Sequence, residues 1–379
     1  MNKILMIAAC PFPGNRGTPS RILKMAEALK RAGNAVDILT YHNRDFEYKD
    51  KIINIFRTPK IPLIETNSPG PKIYKLLADF MLILKGLGLC KQKRYDLIHA
   101  HHIEGTICGL SLKGVYNIPV IYDAHIIVDD EVPTYKRYKF KPIKLFLNLL
   151  ENICLNKSDG IVYVDKSIMS YFNNSQKNQV VIPTGTNIKE IEQMIKNSKN
   201  PFGKSSETKI TYTGSISRYQ NVADILKVAK LNRHNSIKFF IITGQLINEC
   251  KELSDFIRKE NLKNVVLIPN KNFREQIIYA AYSDILLSPR HFLGGLPQKI
   301  TNYMVLKKKI VATKGSAKIL DDSSAYLYKG GDIKAFNKKL QEAIKSKDSL
   351  KEENAFMKVK EFDWDNLAKK LTKFYYQIS

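Results

Sequence analysis

The sequence predicts an α/β protein made of two Rossmann-like, doubly wound domains facing a central cleft. Three observations predict it. Short apolar runs such as KILMIAA (3–9), DLIHAHH (96–102), VIYDAH (120–125) and IKFFIITG (237–244) have the length and composition of buried parallel strands, with helical stretches between them. A polar segment punctuated by Pro and Gly, NPFGKSSET (200–208), precedes a second strand-helix series of similar size. A chain of 379 residues is too long for one core and ordinary for two α/β domains.

Composition excludes several classes. No apolar run has bilayer-spanning length; LLADFMLILKGLGLC (76–90) is interrupted by Asp79, Lys85 and two glycines, and reads as an amphipathic or buried helix. The opening MNKILMIAAC imitates a lipoprotein export signal, but its apolar run at 4–9 is too short, so a first buried strand is expected. Five cysteines (10, 90, 108, 154, 250) are odd in number and irregularly spaced, which indicates neither a disulfide framework nor a zinc ribbon and points to the cytoplasm. The net charge of +25 is spread along the chain: residues 1–185 hold 26 Lys/Arg against 16 Asp/Glu, and the remainder 35 against 20. Such a balance attracts polyanions, including anionic headgroups and nucleotide phosphates, or is a solvated lysine-rich surface. No nucleic-acid-binding module is recognisable.

In chain order, KILMIAA is a strand, CPFPGNRGTPSR (10–21) a loop, PSRILKMAEALKRAG (19–33) a helix and AVDILTY (35–41) the next strand. This is the opening of a doubly wound sheet with a right-handed crossover. The glycines at 14 and 17 miss the spacing of a dinucleotide fingerprint. Arg16, Gly17 and Arg21 still place flexible backbone and positive charge where open α/β sheets bind ligands; the other reading is a proline-rich connection with incidental arginines.

DLIHAHH and VIYDAH end in histidines. Strand periodicity puts His99 and His101 on one side and His102 on the other. Without a carboxylate or cysteine at ligand spacing, polar contacts or core packing are expected rather than a metal site. His125 follows Tyr122-Asp123-Ala124 where a strand empties into a loop; contact with a substrate hydroxyl and burial against a backbone partner both remain open. Residues 134–157, TYKRYKFKPIKLFLNLLENICLNK, set Lys136, Arg137, Lys139, Lys141 and Lys144 among aromatics before an apolar helix. That arrangement reads as an interfacial membrane patch, or as a core helix preceded by a basic turn.

After 159–172 and 179–187, the second series runs through KITYTG (209–214), a helix over 222–232, IKFFIITG, NVVLIP (264–269) and FREQIIYAAYSD (273–284). Gly214-Ser215 and Arg218 follow its first strand and offer a phosphate-facing loop. Residues 284–313 then give a strand, a Gly294-Gly295 loop, a helix started by Pro297 and a second strand. Free N–H groups at that helix start suit a diphosphate, with Lys299 and Arg290 near; the alternative is a plain βαβ unit with a flexible loop. Gly330-Gly331-Asp332 reads as a turn and helix cap. Asp363-Trp364-Asp365 has the D-x-D form of a metal motif, but precedes an amphipathic helix over 366–377, so capping is expected.

Together these pieces resemble the retaining glycosyltransferases of family 4, which have the GT-B fold with a nucleotide-sugar donor between two Rossmann-like domains. The likeness spans nearly the whole chain and rests on PFPGNRGTPSR, the YDLIHAHH and VIYDAH strand ends, VIPTGTN, TYTGSISRYQN, SPRHFLGGLPQKITNYM with KKIVAT, and Phe362-Asp363-Trp364 before a last helix. The resemblance implies domains at 1–185 and 186–362, with 363–379 returning to the first. It implies that Gly17 approaches the donor diphosphate or acceptor, that His125 stands near the sugar, and that Gly214 begins the loop beneath the phosphates. The segment Gly294, Gly295, Leu296 and Pro297 would present its backbone N–H groups, proline's position excepted, at the helix start. Many members carry two glutamates where this chain has Gly294 and Asn302, and an Arg and a Lys near Ser215 and Gln220; Arg218, Lys299 or Arg290 would replace the lost charge. The implied activity is transfer of a hexose from a nucleotide-diphosphate sugar to an envelope glycan or lipid-linked acceptor with retention, without metal or other cofactor. The cytoplasmic protein would meet the inner face of an anionic membrane and no nucleic acid. A non-catalytic nucleotide- or sugar-binding protein and a GT-B sugar-nucleotide epimerase are the alternatives.

Overall fold

Strand β1 (Lys3–Ala8) buries every side chain after Lys3, as a strand does only when helices cover both faces of its sheet. In the computed structural model, which describes residues 1–14, 17–44, 47–48, 52–60, 73–125, 141–172, 178–291, 297–315 and 318–378, β1 lies in the first of two compact units. This unit comprises Met1–Thr184 and Trp364–Ser379; the second is Gly185–Asp363.

The first unit follows β1 with α1 (Gly17–Arg31), β2 (Ala35–Thr40), β3 (Asn54–Arg57), α2 (Ile73–Gln92), β4 (Leu97–His101), α3 (His102–Tyr116), β5 (Val120–Ala124), α4 (Lys141–Lys157), β6 (Gly160–Tyr163), α5 (Lys166–Phe172) and β7 (Asn178–Val181). The strands are parallel in the order β3-β2-β1-β4-β5-β6-β7. Alternate residues of β1 serve opposite faces. Ile4, Met6 and Ala8 pack with α1 and the C-terminal helix, whereas Leu5 and Ile7 pack with α2 and α3. Sequence order reverses between β1 and β4, which is where a doubly wound sheet opens a crevice at its carboxyl edge. The short, partly exposed β3 has no counterpart in the sequence reading.

The second unit runs α6 (Ile188–Lys196), β8 (Thr208–Thr213), α7 (Val222–Leu231), β9 (Ile237–Ile242), α8 (Lys251–Lys259), β10 (Val265–Ile268), α9 (Phe273–Ala281), β11 (Ile285–Ser288), α10 (Gln298–Val305), β12 (Lys309–Thr313), β13 (Tyr326–Tyr328), α11 (Ile333–Lys345) and α12 (Leu350–Val359). Its parallel sheet has the order β10-β9-β8-β11-β12-β13, with the switch between β8 and β11. Asp332 accepts a hydrogen bond from Ala335 N at 2.8 Å, the cap expected at the start of α11. Asp363 accepts one from Ile188 N at 3.1 Å and so serves the start of α6.

The last helix, α13 (Trp364–Tyr375), begins two residues before the expected 366. Trp364, Leu367 and Leu371 are buried in the core shared with α1, where Asn34 Nδ2 also donates to Thr372 Oγ1 at 3.0 Å. The five cysteines are free thiols. Among the described residues no helix is long and apolar enough to cross a membrane.

Candidate active site

Each unit gathers polar side chains at its own switch point. In the first, parallel register sets His101 beside both Ala8 and Asp123, and sets His99 two residues back on the same face. These side chains therefore meet α1 and α13. Arg21 of α1 donates from Nη1 to Asp123 Oδ2 at 2.6 Å and from Nη2 to Ile182 O at 2.8 Å. Tyr375 of α13 reaches His99 Nδ1 at 2.6 Å, and His99 Nε2 lies 3.2 Å from Asp123 Oδ2. The arrangement fixes the His99 tautomer: Nε2–H donates to the carboxylate and the tyrosine hydroxyl donates to Nδ1.

His125 sits at the top of this cluster, 8% exposed. Its Nε2 lies 3.2 Å from Arg21 Nη1, so that nitrogen accepts and the proton resides on Nδ1. His101 Nδ1 is 3.1 Å from the same Nε2, and His102 stacks on the ring with centroids 4.3 Å apart. His102 adopts φ 62° as the chain turns from β4 into α3. Burial, aided by the charge of Arg21, pushes the His125 imidazole down to about 3, and burial pushes His101 well below its usual value. Burial alone would raise the Asp123 carboxyl, but Arg21 and the adjacent histidines outweigh it and hold it well below the usual carboxylate range. At neutral pH the cluster is thus one cation, one anion and neutral His125 and His101. His125 can orient a hydroxyl but is a poor source of protons.

His99, His101 and Asp123 also offer ligand atoms within 4.8 Å of one another. They do not make a good cation site. The Arg21 guanidinium already lies against the only carboxylate of the set, and a divalent ion would have to displace it.

In the second unit the chain leaves β8 through Gly214 at φ 123°, a conformation that side-chain-bearing residues rarely adopt. Lys299, in the first turn of α10, extends across this glycine; a Cβ on Gly214 would lie 3.1 Å from its Nζ. The ammonium donates to Tyr212 Oη at 2.7 Å and Gln220 Oε1 at 3.0 Å, and sits 3.9 Å from the Tyr212 ring centroid. No carboxylate pairs with it among the described residues. Burial first, then the charge of Arg290, push its pKa well below the usual lysine value. Burial likewise lowers Arg290, whose guanidinium stands 5.8 Å from the Tyr219 ring centroid. The start of α10 adds further positive potential, although Ile300 N already donates to Pro297 O at 2.9 Å.

Of the residues singled out from sequence, Gly214, Lys299 and Arg290 come together here, and His125 joins Arg21 in the first unit. Pro297 precedes α10 as its N-cap rather than lying inside its first turn. Arg218 is exposed, with no side-chain partner among the described residues. Asn302 is buried and accepts from Thr186 Oγ1 at 2.9 Å. Gly17 is exposed at the start of α1, and a Cβ there would meet nothing within 4 Å. Arg16, Gly294, Gly295 and Leu296 lie outside the described residues, as does the basic stretch before α4. Sequence reasoning did not name Tyr212, Gln220 or Tyr375 as partners. Tyr212 stands inside TYTGSISRYQN but reads there as a strand residue, and Tyr375 meets His99 from 276 positions away.

Two parallel doubly wound sheets with polar clusters at their switch points fit the GT-B class of α/β proteins, and comparison with known proteins specifies the family. The model of Glycosyltransferase Family 4 matches residues 16–190, and that of Glycosyl transferases group 1 matches residues 193–360. The chain is 26% identical over 358 residues to an uncharacterised glycosyltransferase of Methanocaldococcus jannaschii, with 90% of each covered. A 113-residue stretch is 30% identical to a D-inositol 3-phosphate glycosyltransferase of Corynebacterium diphtheriae, covering 28% of this chain and 25% of that one. Among solved structures, sucrose-phosphate synthase from Thermosynechococcus elongatus superposes with a TM-score of 0.79 at 15% identity, over 100% of this chain and 99% of that one. Anabaena HepE in complex with UDP gives 0.75 at 15% identity, over 99% and 100%. The chain belongs to the group 1 glycosyltransferases of the family 4 type, and it is a glycosyltransferase.

Proposed function

We propose that the enzyme transfers a hexose from a nucleoside-diphosphate sugar to a cell-envelope glycan or lipid-linked acceptor, with retention of configuration. The observation that carries the donor assignment is Lys299: a half-buried ammonium with no carboxylate partner among the described residues, held by Tyr212 and Gln220 against Gly214 at the start of α10. A cation so placed lacks only its anion. The resemblance put a family lysine near position 220; here Gln220 contacts Nζ of Lys299, so the charge arrives from α10 instead. The structurally similar HepE has been solved in complex with UDP and with UDP-glucose, which supports a nucleoside-diphosphate sugar as the ligand.

Sugar transfer develops negative charge on the departing diphosphate. Lys299, Arg290, and the first-turn N–H groups of α10, with Arg16 and the Gly294–Gly295 loop as proposed contributors, stabilise that charge without metal. Arg218 offers a further cation, and Asn302 lies on the same helix. His125 donates Nδ1–H to a sugar hydroxyl and orients it. Gly17 needs its missing Cβ for no packing reason, which is consistent with leaving room for a substrate. The enzyme works in the cytoplasm at the inner face of an anionic membrane.

Incubation with UDP-, GDP- and ADP-hexoses, followed by NMR of the product's anomeric proton, tests the reading. Transfer from one donor with retained configuration, unaffected by EDTA, is the expected outcome. Nucleotide binding without transfer to any glycan or lipid-linked acceptor, or an inverted product, would contradict it.

A further inference from the structure

Two helices of the first unit turn large apolar side chains to solvent. On α2 these are Leu76, Leu77, Phe80 and Leu84, with Leu76 66% and Phe80 54% exposed, while Ala78, Leu82 and Leu89 face the core. On α4 they are Leu145, Phe146, Leu149 and Ile153, with Leu145 73% and Phe146 55% exposed, while Cys154 and Leu155 face inward. Both sets recur at helical spacing, so each is a stripe rather than scattered exposure. The two helices flank α3 in the layer that covers one side of the sheet. Soluble surfaces seldom show paired apolar stripes of this size without something to cover them.

The charges beside the stripes identify the cover. Helix α2 carries Lys75, Lys85 and Lys91, and α4 carries Lys144 and Lys157. Each helix has one acid, and neither acid faces out: Asp79 accepts from Tyr41 Oη, and Glu151 is buried. A second copy docked on these two helices would set lysine rows against lysine rows, and neither helix turns an acid outward to pair them. An anionic bilayer suits the same pattern, since leucine and phenylalanine enter the headgroup boundary while lysines meet lipid phosphates.

We propose that the outward faces of α2 and α4 form one monotopic docking surface for an anionic lipid bilayer. This deepens the membrane-side reading of function above and rests on it. The interaction involves no donor residue and therefore separates from sugar transfer.

The test is co-sedimentation of the full chain with phosphatidylcholine vesicles, with and without phosphatidylglycerol. Wild type is expected to sediment only with the anionic vesicles. The double variant Phe80→Ser/Phe146→Ser should lose about tenfold in partitioning, and Lys85→Glu/Lys91→Glu should lose a similar amount at low salt. Melting temperature and the UDP-induced thermal shift of both should match wild type. Equal sedimentation of variant and wild type would overturn the proposal. So would a wild-type dimer that ignores vesicles and dissociates on Phe80→Ser/Phe146→Ser. Loss of the membrane effect with an intact UDP shift would remove this surface and leave the transferase reading standing; loss of the UDP shift with retained sedimentation would do the reverse.

Discussion

The two switch-point clusters use positive charge in opposite ways. In the first unit Arg21 is matched by Asp123 and enclosed, and neutral His125 rests on that ion pair. In the second, Lys299 is held by neutral oxygens with Arg290 near, and among the described residues no acid answers it. A satisfied ion pair is part of the fold. A cation without one is what the proposed diphosphate site requires. On that proposal the same doubly wound architecture makes a mount for an imidazole in one unit and an anion receptor in the other.

The contrast breaks most visibly at Arg21. Removing it leaves Asp123 as an uncompensated buried charge, so Arg21→Met should destabilise the chain by about 3–5 kcal/mol in a denaturant titration. Lys299→Met should cost little or no stability, because no charge is orphaned.

Acidification gives the next largest effect. His125 has a folded value of about 3 against 6.5 in the unfolded chain, and His101 is displaced in the same direction. The unfolded chain takes up these protons first, so stability is present above the unfolded value and is lost as pH falls toward the folded one. One such histidine removes about 2 kcal/mol by about pH 5. His125→Gln should flatten this slope, whereas Lys299→Met should leave it unchanged; urea melts at several pH values separate the two.

The smallest effect is at Gly214. Alanine there must adopt an unfavourable φ and crowd Lys299 Nζ, which costs about 1–2 kcal/mol. Gly214→Ala should lower the melting temperature slightly and weaken UDP binding, while Gly17→Ala should leave stability as it is.

Many of the strands were legible because buried parallel strands read as short apolar runs, and DLIHAHH and VIYDAH announce their ends by histidines. Half-exposed β3 gives no such signal. The site was legible wherever charge or glycine broke an apolar pattern, as at Gly214, Lys299, Arg290 and His125. It was not legible where partners come from distant elements. Asp123 reads as one more strand residue until register sets it beside His101, and Tyr375 reads as one apolar position of an amphipathic helix until α13 lays it on His99. The exposed stripes were half visible: α4 carried its basic approach in the sequence, while α2 looked equally suited to burial.

The central claim is that Lys299 is the cation of a diphosphate site. Isothermal titration of UDP into wild type and Lys299→Met tests it most directly. The account predicts a loss of about 1.5–3 kcal/mol of binding free energy with unchanged stability, and wild-type affinity that weakens as rising pH deprotonates the depressed lysine. Equal affinity in the two proteins would contradict it.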